Sequence, residues 1–215
     1  MNVTLCSIFR NSVGYVDRYF SQVHALSGYV DLRLVLTYGD CTDATGPALE
    51  AAADRYEMPD VEIGQCDHGG PVFPSIDHPQ RWDQIALVVR STLDRVGDPG
   101  DALIWVESDL EWSSQTMLKL LDDLAHVPAV APQNMHATSE RFYDTWGFRI
   151  DSVGFNAWPP YHQGTPDPDT GLVKIDSCGS CFVTKADYWR GWSGHWPYTA
   201  GGDLWLDETV AVRHP

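Results

Sequence analysis

Glu107-Ser108-Asp109 sets two carboxylates one residue apart where the apolar run Ala102–Val106 ends. In extended backbone, residues i and i+2 face the same side, so the pair can grip one divalent ion. A cation held there, open to water and phosphate oxygens, neutralises a departing diphosphate. Val210-Ala211-Val212-Arg213-His214-Pro215 offers a third ligand: a short apolar strand delivers an imidazole just ahead of a proline that stops pairing. One imidazole with two carboxylates suits Mn2+. The plainer reading is solvated acids at a strand end, since the chain holds 30 Asp and Glu. The place of the pair, at the end of the clearest buried strand, favours the metal. Cys178-Gly179-Ser180-Cys181 is a lone CxxC without a second pair, so neither zinc nor redox chemistry is expected of it.

The elements that must position these groups alternate. Residues 3–9 read as an apolar strand, with Asn11 or Ser12 capping a helix in which Val16, Tyr19, Phe20, Val23 and Leu26 recur at helical spacing. Residues 31–36, dense in Leu and Val, read as a buried strand that Tyr38-Gly39-Asp40 ends in a turn, and 48–56 as a second helix. A weaker strand at 61–66 leads to a loop over 67–80. Trp82, Ile85, Val88, Val89 and Leu93 mark a third helix, and Ser113 caps a fourth that turns Met117, Leu120, Leu121 and Leu124 inward. This order predicts an α/β/α sandwich on a mostly parallel sheet, with ligands beyond the carboxyl ends of its strands. No GxGxxG follows the first strand and no GxxxxGK[ST] occurs, which disfavours a Rossmann dehydrogenase and a P-loop NTPase. From residue 132 loops lengthen and aromatics crowd in, without a linker, so 1–215 is expected to be a single domain with a loop-rich, aromatic-rich C-terminal half.

Fourteen Lys and Arg against 30 Asp and Glu leave a net charge of −16, which excludes a general polyanion-binding surface. An anionic ligand must be held by a few placed groups, helix N-termini or a metal. Residues 1–10 lack a basic n-region and no apolar run is long enough to cross a bilayer, so neither a signal peptide nor a span is expected. Five scattered cysteines suit reduced thiols, and the expectation is a cytoplasmic protein (host cytoplasm if viral). Most of the nine Trp should fill an irregular core. Trp146, Trp158 and Trp192, each beside Gly or Pro, are candidates for a platform that stacks on a sugar or nucleobase.

In this order the pieces resemble the nucleotide-sugar glycosyltransferases of the GT-A fold. Their DxD motif after the fourth strand is matched by Glu107-Ser108-Asp109, and their late metal-binding histidine by His214. The chain is also similar to fungal capsule-associated mannosyltransferases and Golgi mannan-polymerase subunits. Their Tyr-Asp-x-Trp segment resembles Phe142-Tyr143-Asp144-Thr145-Trp146-Gly147-Phe148-Arg149. Their Gly-rich strand ending in Val-x-Lys/Arg-Ala resembles Ser177-Cys178-Gly179-Ser180-Cys181-Phe182-Val183-Thr184-Lys185-Ala186-Asp187. The resemblance implies hexosyl or pentosyl transfer from a nucleoside diphosphate to an acceptor hydroxyl, with Mn2+ or Mg2+ on Glu107, Asp109 and His214. It implies that Ser7, Phe9, Arg10 and Asn11 line the nucleotide pocket, that Gly39, Asp40 and Asp43 face base and ribose, and that Ser108 sits by the ribose. Arg81 would reach the diphosphate; its plainer reading is an exposed helix arginine. Asp144, Trp146 and Arg149 would touch the transferred sugar or the acceptor, with Gly179 allowing close backbone approach. Residues 1–131 would then be the donor half and 132–215 the acceptor half.

Two departures from that pattern bear on mechanism. The first carboxylate is Glu, whose extra methylene leaves Asp109 the direct ligand. The acids between the Gly-rich strand and His214 are Asp203, Asp207 and Glu208, and in one extended strand Asp207 would lie roughly 23 Å from His214, at about 3.3 Å per residue. The general base is then Asp144 or His195, unless the reaction retains configuration and needs none. The acceptor is a glycan or a hydroxymethylated DNA base, as in phage glycosyltransferases; a stripe of Arg141, Arg149, Lys174, Lys185 and Arg190 would serve the second. The rivals are a non-catalytic carbohydrate-binding protein and a nucleotidyltransferase. The latter wants a Gly-rich basic phosphate loop where Arg10-Asn11-Ser12 stands.

Overall fold

β1 (Asn2–Phe9), α1 (Val16–Ser27), β2 (Asp31–Tyr38), α2 (Thr45–Arg55), β3 (Val61–Gln65), α3 (Pro79–Val96), β4 (Ala102–Val106), α4 (Ser114–Asp123) and β5 (Ala129–His136) follow one another in strict alternation. Longer loops then carry the ribbon β6 (Arg149–Ile150) and β7 (Val153–Gly154), followed by β8 (Val173–Ile175), β9 (Cys181–Lys185) and β10 (Leu204–His214). The computed structural model describes residues 1–71, 73, 78–189, 192 and 197–215. Eight strands form one sheet in the order β3-β2-β1-β4-β9-β5-β10-β8. β9 runs antiparallel to β4 and β5, and β8 to β10; the other six share one direction. The expected α/β sandwich on a mostly parallel sheet is what forms.

Alternation along each strand builds a core on both faces. Leu5, Leu34 and Ile104 point to α1, α2 and α4, meeting Tyr19, Phe20, Leu49, Met117 and Leu120. Cys6, Val35 and Trp105 point to α3 and the C-terminal loops, meeting Val89, Leu93, Phe142, Phe148, Phe182 and Tyr198. Irregular backbone packs fewer side chains per residue than a helix, and large rings fill that layer. Phe182 lies flat on Tyr198 at 3.8 Å, and Trp192 meets Trp105 and Phe182 edge-on at 4.9 and 5.3 Å. Trp192 is therefore partly buried and packed against that core, not the exposed platform its glycine neighbour suggested.

Helix starts differ from expectation where side-chain contacts shift them. α1 begins at Val16 with Tyr15 as N-cap and no side-chain cap; the Ser12 hydroxyl bonds the Arg10 main chain instead, accepting from its N–H at 3.3 Å and donating to its O at 3.2 Å. α2 starts at Thr45, earlier than expected, since the Asp43 carboxylate takes up the Thr45 N–H at 3.0 Å. Ser113 does cap α4, its hydroxyl accepting from Thr116 N–H at 3.1 Å. β10, Leu204–His214, is longer than the short apolar stretch Val210-Ala211-Val212 that announced it. Its register against β5 jumps between Asp207 and Ala211, which pair with neighbours Pro132 and Gln133. The change of character at residue 132 thus falls inside β5, not at an element boundary. No helix among the described residues is long and apolar enough to cross a membrane.

Candidate active site

The carboxyl ends of β1, β2 and β4, the first turns of α3 and the entry to β9 surround two adjoining cavities of about 420 and 330 Å3. Arg81, Ile85, Glu107 and Asp109 line both and so form the seam between them. Phe9, Arg10, Asn11, Gly39, His68, Phe73 and Ser108 line the first; Trp82, Tyr143, Asp144, Trp146, Gly179 and His214 line the second.

The walls of the first cavity are tied by strand-end loops. Asn11 and Asp40 stand in the left-handed region at φ 51 and 47, which Asn and Asp tolerate better than most residues. Asn11 Oδ1 accepts from Thr42 N–H at 2.7 Å, linking the first loop to the second, and Arg10 donates to Gly70 O at 3.0 Å, linking it to the third. Gly39 is required to be glycine, because a methyl group there would overlap the Cys66 carbonyl. Three residues expected to face the ligand serve the frame instead. Ser7 is fully buried, its hydroxyl 2.6 Å from both Tyr19 OH and Val106 O. The Asp43 carboxylate is used up by Thr45 and by Val13 N–H at 3.2 Å. Asp40 accepts from Gly69 and Gly70 N–H at 3.0 and 3.3 Å and lies 2.9 Å from His68 Nδ1. Burial pushes the Asp40 pKa up, but those two N–H groups and His68 outweigh it and hold the carboxyl below its usual range. None of the three lines either cavity.

Across the seam the chain turns as soon as β4 ends, Leu110 N–H donating to Glu107 O at 3.3 Å. Residues 108 and 109 form a turn, so Glu107 and Asp109 do not stand two apart on one extended strand. Among the described residues no three His, Cys, Asp or Glu side chains converge as a ready cage. Asp109 and His214 do meet, Oδ2 to Nε2 at 3.0 Å. Glu107 instead hydrogen-bonds Ser180, and burial followed by the charges of Asp109 and Asp144 raises its pKa to about 8. Asp109 Oδ1 is buried without a hydrogen-bond partner. His214 Nδ1 lies 3.0 Å from the Pro215 main-chain oxygen, an acceptor, which places the ring proton on Nδ1. Nε2 then faces a carboxylate lone pair to lone pair unless a proton or a cation lies between. An orphaned carboxylate oxygen beside an imidazole lone pair fits a divalent ion that takes its other ligands from water and phosphate. The expected three-ligand shell becomes an Asp109–His214 pair with Glu107 beside it.

In the second cavity Asp144 is 5% exposed and cradled by glycines. It accepts from Gly147 N–H at 3.1 Å and from Ser180 Oγ at 3.4 Å, and a methyl group on Gly147 or Gly179 would overlap its carboxylate. The close approach expected at Gly179 is therefore to Asp144. Burial raises the Asp144 pKa to about 6, against the Gly147 and Ser180 hydrogen bonds and the His214 charge. Trp146, half-buried, stacks on Trp82 at 5.2 Å and 21°. In the sequence Trp82 only marks the third helix, on the same stripe as Ile85 and Val89; spacing does not separate a cavity wall from a core. Arg149 turns away, donating to Trp146 O and Ser152 O at 3.2 and 3.5 Å, and Trp158, 58% exposed, lines neither cavity. His195, with Arg190, lies outside the described residues. Tyr143, unassigned beyond its motif, stacks on His214 at 3.7 Å.

No protein-family model matches the chain, and no curated protein matches it. Solved structures do. A mannosyltransferase from Pyrobaculum calidifontis in complex with GDP-Man and Mn2+ superposes with a TM-score of 0.61 at 13% identity, over 99% of this chain and 56% of that one. S. aureus TarS (residues 1–349) in complex with UDP gives 0.58 at 11% identity, over 100% and 60%. Mannosyl-3-phosphoglycerate synthase from Rubrobacter xylanophilus gives 0.50 at 14%, over 87% and 54%. The chain spans little more than half the length of each. It has the α/β sandwich they share, the GT-A fold.

Proposed function

We propose that the protein is a metal-dependent glycosyltransferase that moves a sugar from a nucleoside diphosphate to an acceptor hydroxyl, its two halves acting as one catalytic unit. The observation that carries this reading is the seam: two cavities, one walled by strand-end loops and one by aromatic rings and Asp144, meet at Asp109, Glu107 and Arg81. A diphosphate lying across that seam would place the nucleoside in the first cavity and the sugar in the second. The solved structures of like fold include one holding GDP-Man with Mn2+ and one holding UDP, which supports the same use of this chain.

Asp109 and His214 would hold Mn2+ or Mg2+, which when bound supplies positive charge to the departing diphosphate. Arg81 adds a second positive charge on the same wall. Arg10, Asn11, Gly39 and Ser108 orient the nucleoside. Asp144, buried and raised to about 6, is ionised at neutral pH and basic enough to take the acceptor proton. A base acting on the acceptor in a single displacement inverts the anomeric centre. The second cavity sets Glu107, Asp109 and Asp144 against Arg81, which favours a neutral glycan acceptor over a nucleic-acid backbone. Two members of the supposed basic stripe stand away from this cavity: Lys185 pairs with Ala102, at the far end of β4, and Arg149 faces carbonyls.

Asp109→Ala should lose about 10^3-fold in metal-dependent hydrolysis or transfer of UDP-, GDP- or CDP-sugars, read by nucleoside diphosphate release. Full activity of that variant in chelator would end the proposal.

A further inference from the structure

His214 is held by more than its strand. Its ring lies parallel to that of Tyr143, centroids 3.7 Å apart and planes 9° apart. Tyr143 in turn meets His136 at 5.2 Å and 87°. Both partners rest on β5. Ala137 N–H donates to His214 O at 2.8 Å, and His136 is the register partner of His214. On the other side the returning segment is pinned to the same strand, His136 N–H to Arg141 O at 2.9 Å and Tyr143 N–H to Asn134 O at 2.8 Å. β5 therefore carries the imidazole on one flank and the phenol ring on the other, with their faces in contact.

An imidazole on a strand has two side-chain torsions, and only some settings aim Nε2 at Asp109. The Nδ1 contact with Pro215 O restrains the direction of one ring edge. The flat contact with Tyr143 restrains the plane. Together they leave Nε2 at 3.0 Å from Asp109 Oδ2. Resting on the proposed cation site, we infer that Tyr143 is a positioning residue, its ring face locking the His214 imidazole in the ligating orientation before any ion arrives. The contact needs the ring face and not the hydroxyl. It also joins two functions, because the segment that supplies Tyr143 supplies Asp144 and Trp146 to the second cavity.

Two measurements on the intact protein test this. In metal-free protein, NMR should find the His214 ring protons displaced upfield by the Tyr143 ring current, a displacement kept in Tyr143→Phe and lost in Tyr143→Leu. Mn2+ titration followed by electron paramagnetic resonance, with UDP and with GDP, should give Tyr143→Phe within about twofold of the parent and Tyr143→Leu weaker by about tenfold. Melting curves establish that each variant is folded. Absence of the upfield displacement in the parent overturns the inference, as does equal Mn2+ affinity of the Leu variant or an equal loss in the Phe variant. A parent that shows the ring-current displacement yet binds no Mn2+ would leave the stack standing and sink the metal site instead.

Discussion

Asp144 shows what single residues contribute here and what they cost. A buried carboxylate whose folded pKa is about 6, above its ordinary value of 3.8, favours the fold when protonated. That contribution is complete below pH 3.8 and lost as pH rises through 6, so at neutral pH the ionised group strains the structure it serves. Asp144→Asn should therefore raise stability by about 2 to 3 kcal/mol at pH 8 and by less at pH 5, while abolishing transfer. The parent's kcat/KM should fall as pH drops below about 6. Thermal melts at the two pH values check the first; an equal gap at both would show that burial of charge is not the cause. Of this the sequence disclosed the residue and its motif. It did not disclose the cradle, because Gly147 and Gly179 are 32 positions apart and meet only through Asp144. Asp40, Asp43 and Ser7 show the opposite error: polar residues at strand ends read as ligand contacts, and the fold uses them to satisfy its own loop N–H and carbonyl groups.

At the scale of elements, β10 carries a second buried ionic cluster, remote from the chemistry. Lys119 on α4 bonds Asp123 one turn on and Asp207 on β10 at 2.9 Å, with the two carboxylate side chains 7% and 2% exposed. The hydroxyl and N–H of Thr209 also turn onto Asp207, at 2.6 and 2.8 Å. Asp207 is thus tied down by α4. The bulge overturns the extended-strand distance, since Asp207 and His214 pair with Pro132 and His136, four residues or about 13 Å apart along β5. It is the Lys119 and Thr209 contacts that occupy Asp207. Lys119→Met leaves two acids facing each other without a cation and should cost about 2 kcal/mol, read as a lowered urea midpoint with unchanged slope. Unchanged stability would mean the acids share a proton instead. Helices in the first half were legible because their apolar residues recur at a period of 3.6, and the central strands because they are short, nearly continuous apolar runs. The bulge in β10 was not, since three extra residues leave no mark on composition and are set by pairing with β5.

For the molecule as a whole, a net charge of −16 repels anionic ligands, and a cation at Asp109 and His214 would reverse that locally. Mn2+ with a nucleoside diphosphate at about 100 times its dissociation constant should stabilise the fold by about 2.7 kcal/mol, a rise in melting temperature of roughly 5 to 10 °C. Chelator should reverse it, and magnesium sulfate without nucleotide should do little. A melt indifferent to both metal and nucleotide would point to a carbohydrate-binding role. Sequence by itself determined the layers, the parallel core of the sheet and the place of the acidic pair, because periodicity and burial are local properties of the chain. The tertiary structure alone decided which groups share a site. Asp109 meets His214, and Trp82 meets Trp146, across 105 and 64 residues. Such meetings follow from strand order and register, which depend on the free energy of the whole packed sheet and not on any one segment.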